Sequence, residues 1–252
     1  MSPITWTREE LSSELRPLNG RFWRTVEAQH FKSTMKLVDS QADQEILEEE
    51  IEGLKPSIPS ECRHLEYLLF TPFRYNARYP SGSRFRRAGL SKGVLYCCAS
   101  PATAMAEMIF LRLLFFAEAP SVPLAGNPAE YTTFSVTLST RLSLDLTAPP
   151  LDRDAAIWHA LADYGPCQAF ADVARECSAE VIQYESVRDP DRRMNFAVLT
   201  PQAIVSPAKL EMQSWHLQFQ RKVVWAKCEA PSQSLTFELA HFLRDPRLAG
   251  RT

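Results

Sequence analysis

Cationic side chains cluster in one stretch of the chain that contains no carboxylate. Between Tyr67 and Ala106 there is no aspartate or glutamate, yet there are six arginines and lysines. These are Arg74, Arg78, Arg84, Arg86, Arg87 and Lys92, interleaved with the aromatic residues Phe73, Tyr75, Tyr79 and Phe85. Guanidinium groups bind phosphate oxygens through paired hydrogen bonds, and aromatic faces accept a planar ring. The stretch is a candidate anion site, although a solvated basic loop with its aromatic side chains in the core fits the same spacing.

A single carboxylate, Glu107, follows this stretch inside an apolar segment. Its same-face neighbours on a helix would be Thr103, Ala104, Phe110 and Leu111, none of which is cationic. An unpaired carboxylate on a buried helix costs on the order of several kcal/mol. Glu107 is therefore either a functional carboxylate or the structural partner of an arginine from the basic stretch. Both interpretations place it beside the anion site.

Three other polar residues are candidates on weaker grounds. Tyr96 ends an apolar strand just before the Glu107 helix, although a core tyrosine with its hydroxyl at the rim fits equally well. Arg24 interrupts the apolar run Phe-Trp-Arg-Thr-Val at 22–26, which a strand edge would also explain. Ser186 follows a strand-like run, where serine is usually a turn residue. No histidine or second carboxylate is arranged to make Ser186 a nucleophile.

The elements that would position these residues follow from hydrophobic periodicity. The sequence predicts helices over 8–15, 39–54, 102–118, 154–162 and 168–177, and strands over 22–28, 94–99, 131–146, 180–187 and 195–199. The helix over 39–54 should bury its apolar face, and the helix over 102–118 should be buried on nearly every side. Ser100 and Pro101 are typical of a helix N-cap and first position. A polar strand pair and a short helix over 235–243 should follow.

Composition and motifs narrow the class of protein. The 252 residues are 45% hydrophobic and carry a net charge of -2, typical of an ordinary globular chain without a general attraction to nucleic acid. Strands and helices without strict alternation predict an α+β fold with a largely antiparallel sheet. No dinucleotide-fold or P-loop glycine motif is present. The six cysteines lack metal-ligand spacing and are predicted to be reduced, in a cytoplasmic protein with no membrane segment and no metal.

Several short motifs in order along the chain resemble one family. They are FWRTV at 22–26, GSRFRRAG at 82–89, VLY at 94–96, ATAMAE at 102–107, ESVRDP at 185–190 and NFAVLTP at 195–201. Together they resemble the RES domain, which is named for its arginine, glutamate and serine. Each motif alone is weakly specific, whereas five in the right order are fairly specific.

The resemblance implies a function, a fold and a set of site residues. RES proteins are toxins of bacterial toxin–antitoxin pairs with a fold like the ADP-ribosyltransferases. They consume NAD+ by hydrolysis or phosphorolysis and are blocked by a helix-turn-helix antitoxin of the Xre type. By position, Glu107, Arg84 and Tyr96 would be catalytic. Substrate would be bound by Arg24, Arg86, Ser186 and Asn195. The family commonly has Gly-Gly-Arg-Trp-Asn where this chain has Gly-Ser-Arg-Phe-Arg, so both Arg84 and Arg86 are candidates for holding the phosphates.

The predicted boundaries and partners complete this interpretation. Residues 1–20 would form a helical extension, 21–205 the RES catalytic domain, and 206–252 a strand and helix segment packed on it. NAD+ would be a substrate, with no bound cofactor. The antitoxin would be the partner, without membrane or direct nucleic-acid binding, and a homo-oligomer is left open. The alternatives are a protein ADP-ribosyltransferase using the same site, a catalytically inactive RES-like partner protein and, ranked below these, a nucleic-acid binding module.

Overall fold

Short helices surround one large sheet in the computed structural model, which describes residues 5–28, 38–74, 82–119, 121, 127–206 and 210–249. The helices are α1 (Arg8–Ser13), α2 (Gln41–Leu54), α3 (Tyr67–Arg74), α4 (Pro101–Glu118), α5 (Ala155–Trp158), α6 (Gly165–Glu176) and α7 (Leu239–Phe242). The strands are β1 (Arg16–Glu27), β2 (Leu95–Cys98), β3 (Ala129–Asp145), β4 (Val181–Glu185), β5 (Met194–Val198), β6 (Ile204–Val205), β7 (Met212–Phe219), β8 (Val223–Cys228) and β9 (Gln233–Glu238). This is the α+β class that the sequence predicts.

The strand pairings close into a ring. β1 pairs with β2, β2 with β5, β5 with β4, and β4 with β3, while β3 also pairs with β1 along most of its length. Only β3 and β4 run parallel among the described strand pairs, so the predicted antiparallel character is confirmed. From β3 the sheet continues outward through β7, β8 and β9. β3 has 17 residues, which is long enough to pair both with strands of the ring and with β7.

Local sequence signals explain why the principal helix begins where it does. The Ser100 side chain accepts a hydrogen bond from the backbone N–H of Thr103, and Pro101 occupies the first helical turn, as predicted. Thr103 continues the anchoring, since its hydroxyl donates to the Asp189 carboxylate at 2.8 Å. α4 is therefore fixed at its N-terminus to the loop that follows β4, and Glu107 lies in the next turn.

Two predictions about helix burial are wrong. α2 forms as predicted, but none of its described side chains is buried, and Ile46 and Leu54 are 60% and 85% exposed. No described element covers its apolar face. α4 is buried along one side only, because Leu111 and Phe115 are 54% and 46% exposed. Apolar residues on every face of a helix therefore do not show that other elements pack against every face.

The C-terminal part also differs from the prediction. Three strands, β7 to β9, replace the predicted strand pair, and residues 235–238 belong to β9 instead of the final helix, which is the short α7. Leu235 and Phe237 are more buried than Thr236 between them, which is a strand pattern. The apolar faces of β7 to β9 pack against α4 and α7, with Trp215, Leu217, Val224 and Phe237 buried among them.

Two smaller findings concern the cysteines and the helices. All six cysteines are buried and unpaired, as predicted for a reduced protein. In the part of the chain that the structure describes, every helix is too short or too polar to cross a bilayer.

Candidate active site

A cavity of about 470 Å³ lies between α4, the sheet and the turn that precedes β2. Five of the seven predicted site residues line it, namely Arg24, Arg84, Tyr96, Glu107 and Asn195. Arg86 and Ser186 are buried, but they are absent from the described cavity wall. The tertiary structure thus brings together residues from β1, β2, α4 and β5 that are far apart in sequence.

Glu107 is held by two side chains at one of its oxygens. Asn195 Nδ2 and Ser186 Oγ both donate to Glu107 Oε1, at 2.5 Å and 2.7 Å. Charge-assisted hydrogen bonds of this kind fix the orientation of a carboxylate. Glu107 Oε2 has no hydrogen bond to any described residue, and the side chain lines the cavity. The carboxylate is therefore positioned through one oxygen while the other remains available to a ligand.

Ser186 is an internal support for Glu107. Its hydroxyl donates its only proton to Glu107 and accepts from the backbone N–H groups of Arg188 and Asp189, at 3.2 Å and 3.0 Å. The side chain is fully buried. The sequence predicts direct contact of Ser186 with substrate, whereas these bonds engage the hydroxyl with protein groups. Its contribution to the site is to orient Glu107.

Arg84 is presented by a tight turn whose ends are paired. The backbone N–H of Ser83 donates to the Arg86 carbonyl at 2.9 Å, and the reciprocal bond measures 3.1 Å. Phe85, at the tip, is fully buried in the core and anchors the turn. Gly82 precedes it because a Cβ at this position would lie 3.1 Å from the Arg86 carbonyl oxygen. One side chain of the turn enters the core, and its neighbour Arg84 reaches the cavity.

Neighbouring elements fasten this turn from outside. Gln168 Nε2 on α6 donates to the carbonyls of Ser83 and Arg86, at 3.0 Å and 3.2 Å, and Arg175 donates to the carbonyl of Phe85 at 3.0 Å. From β2, the Tyr96 hydroxyl bonds Ser83 Oγ at 2.8 Å and accepts from the Phe85 N–H at 3.1 Å. Burial raises the pKa of the Tyr96 hydroxyl, so it remains a protonated structural link. Tyr96 therefore helps to hold Arg84 in place.

The Arg84 side chain is buried against carbonyl and aromatic groups. Its Nη1 donates to the Trp158 carbonyl at 2.7 Å, and its guanidinium carbon lies 4.7 Å from the centre of the Tyr164 ring. Only 7% of the residue is exposed. Among the described residues no carboxylate forms a salt bridge with Arg84, although Glu107 is close enough to act on its charge. A guanidinium in this position is suited to bind an anion that enters the cavity.

Arg24 reaches the cavity from β1. The ladder between β1 and β2 consists of the single pair Trp23 and Cys98, and beside it Arg24 Nη1 donates to the Tyr96 carbonyl at 2.8 Å. Arg24 Nε is buried without a hydrogen-bond partner. Desolvation lowers the pKa of this guanidinium, which still stays charged at neutral pH because arginine is so basic. A buried cation with an unused donor favours an anionic ligand.

The remaining cations of the basic stretch are mostly occupied by protein partners. Arg74 is buried against Glu52 at 2.6 Å, Arg87 pairs with Asp172 at 2.5 Å, and Arg86 is 8% exposed. Tyr75, Arg78 and Tyr79 belong to residues 75–81, which lie outside the described residues. Among the described cations of the stretch, Lys92 alone is strongly exposed, so they do not form an exposed basic face. This disfavours the nucleic-acid interpretation.

Two tyrosines and two arginines on the cavity wall were not singled out in the sequence as site residues. They are Tyr164, Tyr184, Arg188 and Arg247. Tyr184 is 6% exposed, and its hydroxyl has no hydrogen bond to a described residue. Burial first, and then the charge of Glu107, raise the pKa of this hydroxyl well above its usual value. Arg188 lies within the ESVRDP motif, so its position in the sequence could have indicated a site residue. Nothing in the sequence around Arg247 indicated one.

The thiol of Cys98, on the cavity wall, is kept in its unreactive protonated form by its surroundings. Cys98 lines the cavity, but burial, followed by the nearby charge of Glu107, raises the pKa of its thiol well above the usual value. The thiolate is the nucleophilic form of cysteine. Cys98 therefore remains a neutral thiol at physiological pH.

The cavity combines an oriented carboxylate with several buried guanidinium groups, an arrangement suited to a small anionic ligand. A comparison with protein families matches residues 58–220 to the RES domain. Because the match covers more than half of the chain, this protein belongs to the RES domain family, whose members occur in toxin–antitoxin systems with NAD+-related activity. Glu107, Arg84 and Tyr96 fall inside the match, whereas Arg24 precedes it. Among curated proteins no match was found.

Proposed function

We propose that this protein is an NAD+-consuming toxin that breaks the bond between nicotinamide and ribose, with Glu107 as the catalytic carboxylate. The observation that carries the proposal is the orientation of Glu107 by Ser186 and Asn195 on the wall of a cavity rich in buried guanidinium groups. Membership of the RES family supports it. The family also supports an antitoxin as partner, for which a helix-turn-helix protein of the Xre type is our expectation.

The chemistry requires stabilisation of positive charge at one ribose carbon. When the bond from the ribose carbon to the nicotinamide nitrogen breaks, both electrons go to the nitrogen, and the cationic pyridinium leaves as neutral nicotinamide. No general acid is needed for that departure. The ribose becomes oxocarbenium-like, and a carboxylate held nearby stabilises it, as in glycoside hydrolysis. Glu107 would do this through its free oxygen, Oε2.

The acceptor then completes the reaction. An oxygen of water or inorganic phosphate forms the new bond to the ribose carbon, and water would lose its proton to solvent. The products are nicotinamide with ADP-ribose in the first case, and nicotinamide with ADP-ribose phosphorylated at the former nicotinamide position in the second. Arg84 and Arg24 would hold the substrate through its phosphates, and Tyr96 would border the nicotinamide ribose while keeping the Arg84 turn in place.

The test is direct product analysis with purified protein. NAD+ is incubated with the protein in the presence and absence of inorganic phosphate, and the products are identified by chromatography and mass spectrometry. We expect nicotinamide release by the wild type and by the matched variant Glu118→Gln, which alters an exposed carboxylate on the same helix. Absence of nicotinamide release from correctly folded wild-type protein would refute the proposal.

The same assay separates the acceptors. NAD+ labelled in the adenosine moiety gives labelled ADP-ribose if water is the acceptor and labelled phosphorylated ADP-ribose if phosphate is. Label retained on protein after denaturation would instead identify an ADP-ribosyltransferase, which uses the same carboxylate with a protein side chain as acceptor. Our expectation is that all label remains on small molecules.

A further inference from the structure

The C-terminal segment reaches the cavity although it lies beyond the family match. The RES match ends at residue 220, whereas the segment formed by α7 and the turn Pro246–Leu248 follows β9 and packs on α4. Arg247, in that turn, lines the cavity beside Arg188. A wall of the candidate active site is therefore supplied by a part of the chain that the family pattern does not include.

Arg188 and Arg247 share one fully buried carboxylate. Arg188 Nη2 lies 2.6 Å from Asp245 Oδ2, and Arg247 Nη2 lies 2.8 Å from the same oxygen. Asp245 Oδ1 accepts from Arg247 Nε at 3.0 Å. The Arg188 side chain is 4% exposed and that of Arg247 27% exposed. Asp245 carries one negative charge, whereas Arg188 and Arg247 together carry two positive charges. One positive charge of this buried group therefore has no counterion among the three side chains.

Arg84 and Arg247 contact the same aromatic ring. The guanidinium carbons of Arg84 and Arg247 lie 4.7 Å and 5.0 Å from the centre of the Tyr164 ring, and Arg247 Nη2 also donates to the Tyr164 hydroxyl at 2.9 Å. Cation–π contacts of this kind favour guanidinium groups in a desolvated site. We call Arg84, Arg188 and Arg247 the arginine cluster. Its members come from three separate elements.

Phe110, which both Arg188 and Arg247 contact, lies about one helical turn from Glu107. Arg188 stacks on Phe110, with its guanidinium carbon 3.8 Å from the ring centre, and Arg247 contacts the same ring at 5.1 Å. Phe110 follows Glu107 by three residues on α4, so both occupy the same face of the helix. This spacing lets one extended ligand contact Glu107 and the cluster at once.

The charges around the cavity show what kind of group the cluster would take. Among the described residues, the charged side chains on the wall and their direct salt-bridge partners comprise five guanidinium groups and three carboxylates. They are Arg24, Arg84, Arg112, Arg188, Arg247, Glu27, Glu107 and Asp245. Excess buried positive charge is costly without an anion. The excess of two matches a dianionic pyrophosphate.

We propose that Arg188 and Arg247 bind the pyrophosphate of the dinucleotide together with Arg84, so that the C-terminal segment forms part of the substrate site. This inference rests on the proposed function for the identity of the ligand. It assigns Arg188 and Arg247 to binding, whereas Glu107 acts on the ribose. Asp245 positions both guanidinium groups and prevents them from turning to solvent.

The test compares Arg247→Gln with Arg244→Gln, an exposed arginine of the same segment. The KM and kcat of nicotinamide release are measured, and the Kd for ADP-ribose is determined by calorimetry, because ADP-ribose retains the pyrophosphate but cannot release nicotinamide. We expect Arg247→Gln to raise KM and Kd about tenfold, the loss of one charge-assisted bond, with kcat unchanged. Arg244→Gln should behave as wild type in all three.

A second variant covers the case in which Arg247→Gln does not fold. Arg247→Lys keeps the charge beside Asp245 but loses the planar fork, so Kd should rise by about two- to fivefold. If either folded variant bound ADP-ribose and turned over NAD+ as wild type does, with only a lower melting temperature, the cluster would be a structural clamp and the inference would be overturned. Failure of the wild type to bind ADP-ribose would overturn it as well.

The two proposals fail separately. Wild-type protein that binds ADP-ribose but releases no nicotinamide refutes the proposed function, and the ADP-ribose affinities of the Arg247 variants still decide the inference. Wild-type protein that releases nicotinamide with a KM insensitive to Arg247 supports the function and refutes the inference.

Discussion

At the Glu107 end of the cavity, two side-chain donors converge on one carboxylate oxygen, whereas at the other end two guanidinium groups share a single carboxylate and a third, Arg84, binds a backbone carbonyl. In the first arrangement Ser186 is fully buried and engaged in three hydrogen bonds, whereas Asn195 Oδ1 is buried without a hydrogen-bond partner. The second has more positive charge than its protein partners compensate. The two ends thus differ in charge, because neutral donors hold the carboxylate of Glu107, whereas the guanidinium groups outnumber the carboxylate beside them.

The comparison predicts that the two ends affect different kinetic constants. Groups that act on charge developing in the transition state alter kcat, while groups that bind substrate and transition state equally alter KM. Variants at the Glu107 end should therefore lower kcat, and those in the arginine cluster should raise KM.

The largest effect is expected for Glu107→Gln. The amide keeps an oxygen that can accept from Ser186 and Asn195, so the fold should be retained, but the negative charge opposite the ribose is lost. Removal of one preorganised electrostatic group lowers turnover by about 10²–10³-fold. Nicotinamide release measured by chromatography should fall by this factor while ADP-ribose still binds. Full activity in this variant would exclude Glu107 as the catalytic carboxylate.

A smaller effect is expected for Ser186→Ala. Glu107 Oε1 would keep only the bond from Asn195, and the N–H groups of Arg188 and Asp189 would lose their acceptor. The loss of one such bond corresponds to a decrease of about tenfold in kcat, with KM little changed and a lower melting temperature.

The control for that variant is Ser135→Ala, another buried serine whose hydroxyl accepts a backbone N–H, that of Glu211, away from the cavity. It should lower the melting temperature without lowering kcat. If both serine variants had the same kcat, orientation of Glu107 by Ser186 would have no catalytic effect.

The smallest effect is expected for Tyr184→Phe, which probes the region between the two ends. The Tyr184 ring lies 6.0 Å from the Arg84 guanidinium carbon, and its hydroxyl is kept protonated by burial and by the charge of Glu107. It can donate to a ligand oxygen, so its removal should lower kcat/KM by about three- to tenfold. The melting temperature should not fall, because the hydroxyl bonds no described residue.

Tyr131→Phe provides the matched control, since Tyr131 is a buried tyrosine on β3 outside the cavity wall. Its kinetic constants should equal those of the wild type. A Tyr184→Phe enzyme with unchanged kcat and KM would show that this hydroxyl contacts no substrate group.

Much of the local structure could be predicted from the sequence. The N-cap Ser100 with Pro101, the alternation along β3 and the order of the short motifs depend on neighbouring residues, so the sequence alone indicated α4, most strands and the candidate carboxylate Glu107. The exposed face of α2 could not be predicted, because periodicity shows that a helix has an apolar side but not whether another element covers it.

The sequence by itself determined which residue types were available for the chemistry, since a lone carboxylate after a cationic stretch is visible without any structure. Only the tertiary structure decided which cations reach it. Arg84 and Arg86 are two residues apart and both buried, yet the turn between Ser83 and Arg86 directs only Arg84 to the described cavity wall. Arg247 joins that wall from the other end of the chain, through a carboxylate it shares with Arg188. Such contacts depend on how distant elements pack, and no local pattern in the sequence records that packing.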